Sequence, residues 1–238
     1  MSWMNKALGP GYERLMAALP PSTAARIELL RPSLRASWGG PLNGQDRRRA
    51  LVRSIARALD VDVVIETGTY RGTSTEFFAA VFGVPVETVE ANRRFYEYSR
   101  RRLAHEPSIS VSLGDSREFL RQMAARQPDK TPFIYLDAHW EADLPLREEL
   151  EIIRAGWKQG VVMIDDFAVP ADPGYGFDDY GPGKSLTQDY LPPMPGWSLF
   201  YPTAPSAEET GKKRGCGVLL SSSLAESGIA GLRFAAAL

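Results

Sequence analysis

The chain predicts an α/β fold in which a mainly parallel sheet lies between two layers of helices. Three observations carry that prediction. From residue 45 to residue 165, short β-branched runs alternate with helical patterns, and alternation of this kind builds βαβ units. Several runs, such as 161–165 (VVMID), are almost continuously apolar, which suits strands buried on both faces. Two later runs, 197–202 and 215–221, flank a polar loop containing Lys212, Lys213 and Arg214. They suit an antiparallel hairpin at the sheet edge and bring the expected sheet to seven strands.

Each element follows from its own pattern. Residues 45–59 place Leu51, Ile55 and Leu59 at helical spacing. The strands are expected at 61–66, 86–90, 109–113, 133–137 and 161–165, and the intervening helices at 73–82, 92–104, 116–125 and 144–157. Asn92 is a natural N-cap for its helix. Residues 1–44 differ from the rest, because Pro10, Pro20, Pro21, Pro32 and Pro41 separate short amphipathic pieces at 12–19 and 23–30. They read as a helical N-terminal extension on a main domain of residues 45–238. A structural cap is the plainer role for it. A lid or a homodimer contact through its apolar helix faces is the functional alternative.

Composition narrows the function. The 238 residues are 44% hydrophobic and 24% charged, which excludes disorder along the whole length. Lys and Arg number 28 against 29 Asp and Glu, so a nucleic-acid binder built on a basic face is not expected. The single cysteine, Cys216, rules out an internal disulfide framework and fits a reducing compartment. No apolar run is long enough to span a bilayer, and the N-terminus lacks a signal-peptide pattern. The expectation is a cytoplasmic protein with no membrane partner.

In open α/β sheets, ligands bind beyond the carboxyl ends of the strands. Those ends carry Glu66 with a glycine turn (Gly68, Gly72), Glu90, Gly114-Asp115-Ser116, Asp137-Ala138-His139 and Asp165-Asp166. Carboxylates gathered on one rim repel one another unless something cationic binds among them. Glu90 can accept hydrogen bonds from the two hydroxyls of a ribose. Asp115 can receive an adenine amino group or cap the following helix. His139 can take a proton near neutral pH or ligate a metal. His105, beside Glu106-Pro107, reads as solvated or capping.

The ordered set E-T-G-T-Y-R-G-T-S, T-V-E-A-N, G-D-S, Y-L-D-A-H-W and I-D-D-F resembles the class I S-adenosylmethionine-dependent methyltransferases. More narrowly, it is similar to the metal-dependent O-methyltransferases of the catechol and caffeoyl-coenzyme A type and their sugar-modifying bacterial relatives, over roughly residues 45–220. The resemblance implies a Rossmann-like three-layer αβα sandwich. It places the cofactor against Glu66, Thr67, Gly68, Tyr70, Gly72, Thr73 and Ser74, with Glu90 and Ala91 at the ribose. Gly114, Asp115 and Ser116 would flank the adenine, and Asp137 would close the site. It also implies a divalent cation, Mg²⁺ foremost, on Asp137, Asp165 and Asp166, a set of hard oxygen donors. Asp137 and His139 would be the catalytic residues. The catechol-type lysine is absent, since Trp140 holds its position; His139, in the expected site, could take the proton, ligate the metal or fix the loop by hydrogen bonds.

The expected reaction is methyl transfer to a hydroxyl of a small molecule, a sugar or polyhydroxylated acceptor ahead of a phenol. The acid-rich segment 170–183, with Tyr175, Phe177 and Tyr180, could close over that acceptor. Two other readings use the same scaffold: a nicotinamide-dependent oxidoreductase and a non-catalytic nucleoside-binding module. The first lacks the usual pyrophosphate glycine spacing.

Overall fold

The computed structural model describes residues 3–139 and 143–238. Five strands run parallel: β1 (Val63–Thr67), β2 (Val86–Glu90), β3 (Ile109–Leu113), β4 (Pro132–Leu136) and β5 (Val161–Asp165). Three more are β6 (Trp197–Pro202), β7 (Cys216–Ser221) and β8 (Leu232–Ala237). The sheet order is β3-β2-β1-β4-β5-β7-β6-β8. Every residue of β1, β4 and β5 is buried, as their apolar composition demands of central strands.

Seven strands are those expected, and β8 is an addition. It pairs antiparallel with β6, so β8 and not the β6–β7 hairpin forms that edge. Its sequence, LRFAAA, is short in large apolar side chains and only partly buried, which leaves little strand signal to read.

The helices between residues 45 and 157 are α3 (Asp46–Ala58), α4 (Thr73–Phe82), α5 (Arg93–Arg102), α6 (Ser116–Arg126) and α7 (Leu146–Gly156). One core holds Ile65, Leu120, Ile134, Leu150, Ile153 and Leu199 on the α6–α7 face. The other holds Val52, Ile55, Val64, Phe78, Phe133 and Val218 on the α3–α4 face. A short helix, α8 (Ser222–Ala225), follows β7.

The extension forms α1 (Trp3–Ala18) and α2 (Pro21–Leu29), then two 3-10 stretches at Pro32–Gly39 and Pro41–Gly44. Helix α2 packs on α5, and Leu42 is buried. The register places the site. Thr67 is level with Val89 on one side and Leu136 on the other, and Leu136 is level with Ile164. One residue further on, Glu90, Gly68, Asp137 and Asp165 therefore share a row. Strand order reverses between β1 and β4, the switch point where such sheets open a crevice.

Candidate active site

The turn after β1 is tight for a local reason. Gly68 has φ +88°, and a Cβ there would stand 2.3 Å from the Asp137 carbonyl oxygen. Gly72, with φ +72°, sits against Leu103 and starts α4. Both glycines thus meet packing and backbone demands of the turn itself. Tyr70 adopts φ +47° without being glycine, a sparsely populated conformation. Its amide donates to Glu90 Oε2 at 2.7 Å, and the Asn92 amide donates to Glu90 Oε1 at 2.7 Å. Glu90 is thereby fixed beside the glycine turn, with burial raising its pKa above the ordinary value.

Glu66 lies deeper. It is fully buried, and its Oε2 accepts from the hydroxyls of Thr75 (2.5 Å) and Thr88 (2.7 Å). Burial pushes its pKa up to about 7, against those hydrogen bonds. Thr67 is also buried. Thr73 and Ser74, at the start of α4, face the extension: Thr73 Oγ1 donates to the Arg35 carbonyl, and Ser74 Oγ accepts from the Leu42 amide. Arg71 is buried in an ion pair with Glu28 of α2 at 2.8 Å, and its guanidinium lies 4.7 Å from the centre of the Tyr70 ring.

At the third strand end, Asp115 caps α6, accepting from the amides of Arg117 (2.9 Å) and Glu118 (3.4 Å), and pairs with the Arg117 guanidinium. Its pKa is lowered, first by the Arg117 side chain. Gly114 precedes it, Ser116 is buried behind it, and Ala91 is exposed on the neighbouring turn. Beneath lies a carboxyl the sequence reading did not single out. Glu149 of α7 is buried near Thr67 and Ser116, and burial lifts its pKa to about 7.

The fourth and fifth strand ends form the acid-rich side. Asp165 is fully buried and engaged through both oxygens: Oδ1 pairs with the buried Arg48, and Oδ2 accepts from Asn43 Nδ2 at 3.1 Å. Burial raises its pKa, but Arg48, the Tyr135 hydroxyl and the Asp166 amide together hold it below the ordinary range. Asp166, at φ +50°, turns the other way and accepts from Arg214 Nε at 2.6 Å. Its pKa is lifted to about 7, first by burial and then by Asp165. Asp137 is half-buried at the turn after β4. Poor solvation, then Asp165 and Asp166, place its carboxyl well above the usual range. His139 Nε2 stands 3.9 Å from both Asp137 Oδ1 and Asp178 Oδ2. Burial lowers the His139 pKa, against the pull of Asp165 and Asp178.

The expected trio of Asp137, Asp165 and Asp166 therefore does not converge as a ligand set. Asp165 is paired with Arg48 and Asn43. His139, Asp166 and Asp178 converge instead. Segment 170–183 is tied down by backbone bonds, Asp178 N to Asp166 O (2.9 Å) and Gly176 N to Lys213 O (2.9 Å). Tyr175 points into the core and donates to the Ala204 carbonyl, so it is not available to stack on an acceptor. Phe177 is exposed, and Tyr180 donates to Asp178 Oδ2 at 2.7 Å. Trp140 lies outside the described residues.

Arg48, Asn43, Asp178 and Arg214 complete this side, and none was singled out as a site residue from the sequence. Arg48 did leave a trace: it continues the apolar stripe of Val52, Ile55 and Leu59, an unusual place for an unpaired charge. A cavity of about 240 Å³ lies behind Arg48 and Arg214, with Gln45, Tyr175 and Glu209 in its wall. Glu90 and Gly68 are not part of that wall, so it is separate from the glycine turn.

No protein-family model and no curated protein matches the chain. Solved structures match its fold. A cofactor-bound protein from MTB aligns with a TM-score of 0.56 and 18% identity, over 88% of this chain and 95% of that one. The O-methyltransferase TomG from Streptomyces achromogenes, involved in tomaymycin synthesis and in complex with SAM, aligns with a TM-score of 0.54 and 18% identity, over 84% and 87%. An O-methyltransferase from Bacillus cereus in complex with SAH gives 0.54 and 17%, over 88% and 96%. The chain has the Rossmann-like fold of these O-methyltransferase structures.

Proposed function

We propose that this chain transfers a methyl group from S-adenosylmethionine to a hydroxyl of a small molecule, a sugar or other polyhydroxylated acceptor. The observation that carries the reading is the shared row of Glu90, Gly68 and Asp137 across β2, β1 and β4 at the switch point. A nucleoside laid along it meets Glu90 at its ribose and the glycine turn at its amino-acid end. The sulfonium methyl then faces Asp137. The neighbours in complex with SAM and SAH support that choice of cofactor.

The transfer is an in-line displacement. The acceptor oxygen attacks the methyl carbon, the carbon–sulfur bond breaks, and S-adenosylhomocysteine leaves. Alignment supplies most of the rate. Asp137, whose raised pKa makes it the stronger base in the molecules where it is ionised, takes the hydroxyl proton in place of the expected His139, which is buried. A divalent cation on the trio Asp137, Asp165 and Asp166 does not fit, because Asp165 is charge-paired with the buried Arg48 and the three carboxylates do not converge as one donor set. No step here depends on it.

Calorimetry with S-adenosylmethionine and with NAD tests the cofactor. Heat of binding for the first alone is expected; binding of NAD alone would make the protein an oxidoreductase candidate. Incubation with methyl-labelled cofactor and a panel of sugars then identifies the acceptor. Asp137→Asn is expected to lower turnover about a hundredfold or more while cofactor affinity holds.

A further inference from the structure

We infer that the acid-rich side binds one divalent transition-metal ion on His139 Nε2, Asp166 and Asp178. Nothing in the methyl-transfer reading requires this site, and Asp178 comes from a loop outside the expected ligand set.

The three side chains offer ligand atoms that all lie within 4.8 Å of one another. Proximity of acids alone would mean little. The second observation is His139 itself: it is 5% exposed, and its Nε2 is buried without a hydrogen-bond partner. A buried ring nitrogen left unpaired is costly, and native structures rarely leave one without cause. Here Nε2 points at Asp178 Oδ2 and Asp137 Oδ1, 3.9 Å from each. That gap is too long for a direct bond, and an ion between the groups closes it.

The surrounding groups orient the ligands. Arg214 holds Asp166 Oδ1 at 2.6 Å and pairs with Asp178 Oδ1, so Asp178 keeps its Oδ2 toward His139. Tyr180 donates to that oxygen from the outside. The Asp178 amide is bound to the Asp166 carbonyl and the Asp178 carbonyl to the Leu186 amide, both at 2.9 Å, so the loop is pinned on either side of the ligand. Such outer contacts orient metal ligands in general.

Charge points the same way. Four carboxylates, Asp137, Asp165, Asp166 and Asp178, meet two guanidiniums, Arg48 and Arg214. The carboxyl groups outnumber the guanidiniums there, and crowded carboxyls favour a cation among them. The donor set selects the class. One imidazole with two carboxylates favours Mn²⁺, Fe²⁺, Co²⁺ or Zn²⁺ over Mg²⁺ and Ca²⁺, which take oxygen ligands.

The test uses the untagged full-length chain stripped of metal with a chelator, and Mn²⁺ alone as probe. Electron paramagnetic resonance during titration is expected to show one Mn²⁺ bound per chain, and Mg²⁺ is expected to compete at least about tenfold less well. Pulsed measurements on the bound ion are expected to show nitrogen modulation from an imidazole. The chain has two histidines, so the modulation should persist in His105→Gln and vanish in His139→Gln. Asp178→Asn should weaken Mn²⁺ binding about tenfold or more. The proposal is overturned if no Mn²⁺ binds stoichiometrically, if the unmodified protein shows no nitrogen modulation, or if the modulation survives in His139→Gln. The spectrum of the unmodified protein decides the question even if a variant fails to fold. Cofactor calorimetry on the metal-free protein is read separately, so failure of the metal site and failure of the methyl-transfer reading are distinct results.

Discussion

The two halves of the sheet's carboxyl rim are built from opposite kinds of contact. On the cofactor side, Glu90 is held by amides 2 and 20 residues away, and Asp115 by amides 2 and 3 residues away. On the acid-rich side, Asp165 is held by Arg48 and Asn43, 117 and 122 residues away, and Asp166 by Arg214, 48 residues away. The first half is assembled from local turns. The second exists only once the extension, α3 and the β6–β7 connection have docked. A locally satisfied acid tolerates loss of one neighbour. A buried acid with a single distant guanidinium does not.

The largest effect should therefore follow from removing that guanidinium. Arg48→Met leaves Asp165 buried and uncompensated, a situation that costs about 3–5 kcal/mol. Urea denaturation is expected to show a loss of that size. Adding Asp165→Asn in the same chain should recover much of it, because the orphan charge goes too. A loss below about 1 kcal/mol would mean that the acid-rich side does not depend on its distant partner, and the contrast between the halves would fail.

Glu149 sharpens the comparison from beneath the cofactor side, where a buried carboxyl has no arginine of its own. Burial raises its folded-state pKa from 4.5 to about 7, although the Ser116 and Thr67 hydroxyls oppose the rise. A carboxyl with a raised folded pKa binds its proton more tightly in the folded protein. It costs nothing below pH 4.5, lowers stability progressively as pH rises toward 7, and imposes its full penalty above that, about 3 kcal/mol. Glu149→Gln should therefore stabilise the protein by up to that amount at pH 8 and change little near pH 4. Thermal melts across the pH range check the sign, and an equal effect at both ends would show that the titration is not the cause.

The same contrast explains what the sequence disclosed. The strands at 86–90, 109–113, 161–165 and 197–202 occur where their patterns place them, because burial on a pleat imprints itself within a few residues. The rim positions are legible too, since each follows a strand directly. Arg48, Asn43 and Arg214 are not, because nothing within their own segments states which strand end they will meet. Asp178 sits in an acid-rich run whose two aspartates are indistinguishable in sequence, and only the backbone bonds to Asp166 and Leu186 select it. The β8 strand escaped notice for the converse reason: a partly buried edge strand needs few large apolar residues.

Glu90 gives the next prediction in size. If it receives the ribose hydroxyls, Glu90→Ala removes two hydrogen bonds to a charged acceptor, each contributing about 1.5 kcal/mol or more. Cofactor affinity by calorimetry should fall at least tenfold. Loss of the Tyr70 amide contact will loosen the turn, so Glu90→Gln is the companion variant. It keeps an acceptor for that amide and should retain part of the affinity. Unchanged affinity in both would remove the ribose from this strand end.

Asp115 carries the smallest effect and the finest distinction, because its two roles coincide in one carboxylate. As a cap it serves the Arg117 and Glu118 amides, and Asp115→Ala should cost about 1 kcal/mol of stability. Serine caps a helix nearly as well as aspartate but brings no charge. Asp115→Ser should therefore restore stability, while cofactor binding stays several-fold weaker if the acid also receives the adenine amino group. Denaturation and calorimetry on the same two variants separate the roles. If both bind the cofactor like the unmodified protein, Asp115 is a helix cap alone, and adenine recognition must come from the Gly114–Ser116 backbone.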